Sequence, residues 1–365
     1  MRVAVLGASG FIGSRLVEMF HLEGIAEVRP IARRVSSLAG PSRFRLDGRI
    51  ADGRDRESLA AAFADCEIVV HAVAGAPSVI LGTIAPVYEA AEKAGVRRLI
   101  YLSSASVHGQ NPASGTTESS RLSVRQAIPY NNAKVRAERR LRRLRARGTV
   151  ELVMLRPGIV FGPRSTWVSG FADALIDGKA HLVDRGRGIC NSLYVDNLIE
   201  AIRTAMSAPS ADGEAFLLGD REQITWADLY RPIAAALGFD LESLEDAVSV
   251  DPDPAARALL KRARRSPLAR GLSAVLPTRV RRALKSATSG LEDPSAELSA
   301  WTRPTAPRPI ATLEMELLAK CRYKLPFDKA TRFLGYEPLV SFDLACRRTV
   351  AWLEFAGYPV RDPSR

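Results

Sequence analysis

Cysteine and histidine are scarce in this chain, with four of each in 365 residues. Cys66, Cys190, Cys321 and Cys346 stand apart with no CxxC pair, which excludes a zinc-ribbon pattern and argues against a disulfide framework. His21, His71 and His181 form no ligand spacing, and no metal is expected. No uncharged apolar run approaches the about 18 residues of a membrane span. A strand pattern begins near Arg2 and leaves no room for a signal peptide, so a cytoplasmic location is expected. Fixed-period repeats and long low-complexity tracts are also missing, which excludes fibrous and solenoid architectures.

What is present is an ordinary globular composition, 47% hydrophobic and 25% charged, in a chain long enough for a large α/β unit with a second, smaller part. The net charge of +12 is local. Residues 132–147 hold eight Lys/Arg and one Glu, net +7; residues 251–290 hold ten Lys/Arg and two Asp, net +8, so the remainder is near −3. No nucleic-acid module or aromatic platform accompanies the charge, and no nucleic-acid partner is expected.

The first half alternates short β-branched runs (Val3–Leu6, Glu27–Ile31, Arg43–Leu46, Ile68–Ala72, Arg98–Ser103, Glu151–Leu155) with amphipathic stretches such as Ser58–Ala64 and Val87–Ala94. This pattern predicts a doubly wound parallel α/β (Rossmann) sheet over residues 1–165, with 190–210 returning to it. Residues 166–365 are expected to form a smaller, mixed C-terminal substrate domain. It has helices near Ser169–Ile176, Val195–Ser207 and Trp226–Leu237, short strands near His181 and Ala215, and a basic insertion at about 248–310.

After the first strand comes Gly7-Ala8-Ser9-Gly10-Phe11-Ile12-Gly13, leading into a predicted helix Ser14–Phe20. Glycines there permit a tight turn, let backbone N–H groups approach a pyrophosphate and seat the helix close to the strand. Further on, Tyr130-Asn131-Asn132-Ala133-Lys134 sets a phenol and an ammonium four residues apart on one helix face. A free phenol with a pKa of about 10 is a poor base at pH 7. Lowering it by three units takes about 4 kcal/mol, part of which a neighbouring cation can supply. Ser103-Ser104-Ala105-Ser106 follows a predicted strand, at the sheet edge where doubly wound folds take ligands.

These motifs together resemble the extended short-chain dehydrogenase/reductase family, which includes nucleotide-sugar epimerases, dehydratases and reductases. The resemblance implies that Gly7, Ser9, Gly10, Phe11, Ile12 and Gly13 hold the cofactor phosphates and that Asp52 meets adenine. It also implies that Ala72, Val73 and Ala74 lie under the cofactor and that Pro157 and Ile159 close over the nicotinamide. Ser104, Tyr130 and Lys134 match the catalytic trio. In that role Tyr130 exchanges the proton of the reacting oxygen, Ser104 hydrogen-bonds the same oxygen, and Lys134 lowers the phenol pKa and holds the ribose.

NAD-binding relatives carry an acid at the end of the second strand, where this chain has Arg33 and Arg34. That substitution leans to NADP over NAD, with the arginines on a 2′-phosphate. Family dehydratases carry an Asp–Glu pair where Ala105 and Ser106 stand, so 4,6-dehydration is disfavoured. Epimerisation or net ketone reduction of a nucleotide-activated sugar is the expected reaction, in a homodimer. Val79 departs from the family's substrate-facing Asn, and His108 from its Tyr. Alternatives are a membrane-surface reductase of a lipid-linked or sterol-like hydroxyl, with 251–290 touching the membrane, and a non-catalytic dinucleotide sensor.

Overall fold

The computed structural model describes residues 1–247 and 309–361. Seven strands form the central sheet: β1 (Arg2–Leu6), β2 (Glu27–Ala32), β3 (Arg49–Ile50), β4 (Ile68–His71), β5 (Arg98–Leu102), β6 (Glu151–Pro157) and β10 (Ala215–Leu218). Their order is β10-β6-β5-β4-β1-β2-β3 and every pairing is parallel. Val3 lies level with Val28 on one side and Ile68 on the other. The chain therefore reverses direction across the sheet between β1 and β4, and this switch point opens a crevice at the strands' carboxyl ends.

Side-chain alternation along each strand feeds two apolar layers. Val3, Val5, Val70 and Val153 pack with α1 (Phe11–Leu22) and α6 (Val195–Ser207) on one face. Ala4, Leu6, Val69 and Leu152 pack with α2 (Arg56–Phe63), α3 (Pro77–Lys93) and α4 (Pro129–Arg145) on the other. Burial on both faces explains why these strands read as continuous apolar runs.

A third apolar cluster joins α5 (Thr166–Ile176), α7 (Trp226–Ala236) and α10 (Phe342–Phe355). Two small sheets accompany it: β7 (Ile159–Phe161) parallel to β9 (Ser192–Tyr194), and β8 (Ile189–Cys190) antiparallel to β11 (Ile224–Thr225). Two short helices, α8 (Leu313–Ala319) and α9 (Asp328–Leu334), complete the described chain.

Two sequence expectations are corrected. The third strand is not Arg43–Leu46: Pro41, with its fixed φ, opens a 3-10 turn over Pro41–Arg43, and pairing with Ile31 and Ala32 waits until Arg49 and Ile50. Near His181 there is no strand, only a single bridge from Leu182 to Asp246. The expected basic segment 251–290 lies outside the described residues. Among the described residues no helix is long and apolar enough to cross a membrane.

Candidate active site

The glycine turn is built for close approach. Gly7 has φ +92°, and a Cβ there would stand 3.0 Å from the Ala72 main chain. At Gly13 a Cβ would lie 2.2 Å from the Gly7 carbonyl oxygen, so only glycine lets α1 sit this tightly on β1. The N-cap, Gly10, offers no side-chain cap, and the first turn carries no acid. The N–H groups of Gly7, Ala8 and Gly10 donate to the Ile31 and Gly7 carbonyls, so it is the N–H groups of the first helical turn and the positive end of the helix dipole that are left for an anion. Gly7 and Gly10 border a cavity of about 380 Å³ that also takes in Ser9, Arg33, Ser37, Asp52 and Arg54. The residues present fit a dinucleotide's adenosine and phosphates. Arg34 is not part of this wall, and Gly13 shapes the turn without lining the cavity.

Ala72, Val73 and Ala74 line both this cavity and a second one of about 460 Å³, whose walls include Phe11, Ile12, Ser104, Tyr130, Lys134, Pro157 and Ile159. Ser104 lies two residues beyond β5 and caps a 3-10 turn over Ala105–His108, its hydroxyl accepting from the Ser106 N–H at 3.2 Å. Lys134 is buried, 2% exposed, and donates to the Leu102 carbonyl at 2.7 Å. Its Nζ lies 4.9 Å from the centre of the Tyr101 ring and 5.7 Å from that of Tyr130. Burial pulls the ammonium down to about 7, against a partial lift from Glu138. Burial likewise pushes the Tyr130 phenol up to about 12, opposed by the Ser104 hydroxyl and assisted by the Glu314 carboxylate. In the protein alone the group that lowers the phenol is the Ser104 hydroxyl and not the expected Lys134, and burial outweighs it.

A buried network holds α4. Arg156 donates through Nε and Nη2 to the two oxygens of Glu138 at 2.9 and 2.7 Å, and Ser103 donates to the same carboxylate. His108 contacts Arg156; burial, then that guanidinium, lowers it to about 4. His71 pairs with the Thr83 hydroxyl at 3.0 Å and is lowered to about 3, chiefly by burial. Both imidazoles are neutral at pH 7.

Sequence reading missed three residues of the second cavity. Glu314 arrives from α8 and accepts from the Gln110 side-chain amide at 2.9 Å; Gln110 in turn accepts from Asn131 at 2.6 Å. Trp167, at the start of α5, closes another side. Gln110 directly follows the serine segment without being part of its pattern, whereas Glu314 reaches the cavity from far along the chain.

A parallel sheet reversing at β1 and β4, an uncapped glycine turn at that edge and a Ser–Tyr–Lys cluster beyond it define a dinucleotide-binding enzyme of the extended short-chain dehydrogenase/reductase type. Residues 3–219 match the NAD dependent epimerase/dehydratase family, and the chain belongs to that family. A UDP-glucose 4-epimerase of Mycolicibacterium smegmatis is 29% identical over 265 residues, 65% of this chain and 83% of the relative. A 3-beta-hydroxysteroid dehydrogenase of Mycolicibacterium neoaurum is 27% identical over 267 residues, 67% and 72% of the two chains. The fold matches a dTDP-glucose 4,6-dehydratase double mutant from Streptomyces venezuelae, solved with NAD bound, at a TM-score of 0.70 and 21% identity over 97% of each chain.

Proposed function

We propose that this protein transfers hydride between a nicotinamide dinucleotide and a secondary carbinol or ketone carbon, as an epimerase or a ketoreductase. The carrying observation is that Ser104, Tyr130 and Lys134 wall a cavity sharing Ala72–Ala74 with the cavity under the glycine turn. The bound nicotinamide supplies or accepts the hydride. With its pKa held high, Tyr130 keeps its proton at neutral pH and is suited to donate it to a ketone oxygen. Ser104 donates a hydrogen bond to that oxygen. Lys134, fixed by the Leu102 carbonyl, holds the ribose and carries positive charge towards the phenolate that proton loss creates.

NADP is the favoured cofactor. Arg33 and Ser37 border the adenosine end, and β2 ends without a carboxylate, a set suited to a 2′-phosphate. Asp52 is assigned to adenine. The third apolar cluster, after residue 165, is assigned to substrate binding.

For the substrate, a nucleotide-activated sugar is supported by the epimerase relatives. A carbinol on an apolar ring is the second reading, favoured by Trp167 and Glu314 on the cavity wall and by the hydroxysteroid dehydrogenase relatives. Elimination is not proposed, since Ala105 and Ser106 provide no acid or base. Peripheral membrane contact through 251–290 is tested by liposome co-sedimentation with and without that segment. The test of the reaction is nucleotide release from purified protein followed by hydride transfer in the wild type and Tyr130→Phe. Loss of transfer with retained nucleotide supports it; equal transfer overturns it.

A further inference from the structure

Between the first turn of α4 and residues 107–128 lies a further cavity of about 510 Å³, whose wall includes His108, Ser120, Arg121, Ser123 and Asn131. It adjoins the catalytic cavity across Gln110, which borders both. Side-chain bonds fix this wall in place. Asn131 donates to Gln110 at 2.6 Å and to Gln126 at 2.9 Å, and Gln126 donates to the Val107 and Ser123 carbonyls at 2.8 and 3.0 Å.

The side chains around the cavity keep protons to give. Arg156 can only donate, so its contact with His108 Nε2 at 3.2 Å puts the proton of the neutral imidazole on Nδ1, which has no partner among the described residues. The Ser120 and Ser123 hydroxyls accept from the Thr117 and Arg125 N–H groups at 3.0 and 3.1 Å, and neither donates to a described residue. Arg121 is exposed and pairs with no carboxylate among the described residues. The start of α4 adds to this set: Ile128 supplies no side-chain cap, Pro129 takes the first position and the first turn carries no acid. Among the described residues no Asp or Glu lines the cavity, and Glu118 from the same segment turns to β10, where it accepts from the Leu217 N–H at 3.0 Å. Donors of this number and charge suit the oxygens of a phosphate.

One acceptor asks for more than an anion. Asn131 is 1% exposed, and its Oδ1 is buried with no hydrogen bond among the described residues. A buried carbonyl oxygen is unfavourable until a donor meets it. A phosphate dianion has no proton to give, whereas a hydroxyl carried on the same ligand does.

We propose that this cavity is a binding site for a hydroxyl-bearing phosphate ester of the sugar phosphate class, its phosphate held by Arg121, His108, Ser120 and Ser123 at the start of α4 and a hydroxyl bonded to Asn131. The inference goes beyond the hydride-transfer reading and does not depend on it. Its test is calorimetric titration of the full chain, with excess NADP filling the dinucleotide site, using α-D-glucose 1-phosphate, inorganic phosphate and glucose as separate probes. Two variants remove the phosphate contacts, Arg121→Ala and the pair Ser120→Ala with Ser123→Ala. The expected result is binding of the ester to the wild type at least tenfold tighter than either phosphate or glucose, weakened at least tenfold in each variant while NADP affinity is unchanged. Absence of ester binding, phosphate or glucose binding as tightly as the ester, or ester affinity unmoved by both variants overturns it. A chain that binds no dinucleotide fails the hydride-transfer reading alone, and the same titration without NADP then decides this one.

Discussion

Lys134 stands one helical turn after Tyr130, with its ammonium 5.7 Å from the phenol ring. Both groups are buried, and burial moves their proton affinities in opposite directions, the ammonium down to about 7 and the phenol up to about 12. At pH 7 the phenol is therefore neutral and the ammonium about half protonated in the protein alone, so the charge of Lys134 responds to that of a cofactor.

The first prediction concerns Lys134 and stability. Its pKa is about 7 folded against 10.5 for a solvated lysine, so between these values the unfolded chain binds more protons. Stability from this group therefore rises as pH climbs from 7 to 10.5, and the burial penalty is complete below 7. Lys134→Met removes the penalty, so urea unfolding should show the variant gaining on the wild type at pH 6.5 and losing that gain at pH 10. A difference that does not vary with pH contradicts the assignment.

A second prediction separates Glu314 from the rest of the wall. Its carboxylate raises the Tyr130 phenol, so Glu314→Gln should lower it. The measurement is absorbance at alkaline pH, taken as the difference between each protein and its Tyr130→Phe counterpart to isolate this tyrosine from the other seven. An unchanged titration places Glu314 too far away to matter.

Arg33 tests the cofactor. A charge-assisted bond to a phosphate is worth about 1.5–3 kcal/mol, so Arg33→Ala should weaken NADPH binding about tenfold to a hundredfold while NADH binding moves little. Arg34→Ala, outside the cavity wall, should leave both unchanged. Equal losses for the two cofactors would remove the 2′-phosphate from the account.

The Arg156–Glu138 pair gives the fourth. Both side chains are 2% exposed and bidentately paired. Removing one partner strands a buried charge, so Arg156→Leu should cost about 3–5 kcal/mol in denaturant unfolding. Arg156→Leu with Glu138→Leu should recover part of that loss. A double variant worse than the sum of the singles runs against it.

Legibility in the sequence followed distance along the chain. Gly7 to Gly13 and Tyr130 to Lys134 act within one turn of backbone, and alternating β-branched runs announce the sheet because parallel strands are buried on both faces. Arg43–Leu46 misled because an apolar–basic alternation has the right period, while Pro41 and the register with Ile31 decide where pairing starts. Glu314 was illegible because its contact with Gln110 spans 204 residues, and Trp167 because only packing turns it to the cavity wall. Arg34 carries the same chemistry as Arg33, yet only Arg33 borders the cavity.

The central claim, that Tyr130 moves the proton that accompanies hydride transfer, is tested most directly by isotope. C4-deuterated NADPH and NADH are offered to the wild type and to Tyr130→Phe with a panel of keto-sugar nucleotides and apolar ring ketones, and deuterium in the carbinol product is measured by mass spectrometry. The account predicts transfer by the wild type and a loss of about 100-fold to 10,000-fold in the variant, with dinucleotide affinity unchanged. Equal deuterium transfer by both proteins, or a wild type that binds neither dinucleotide, would contradict it.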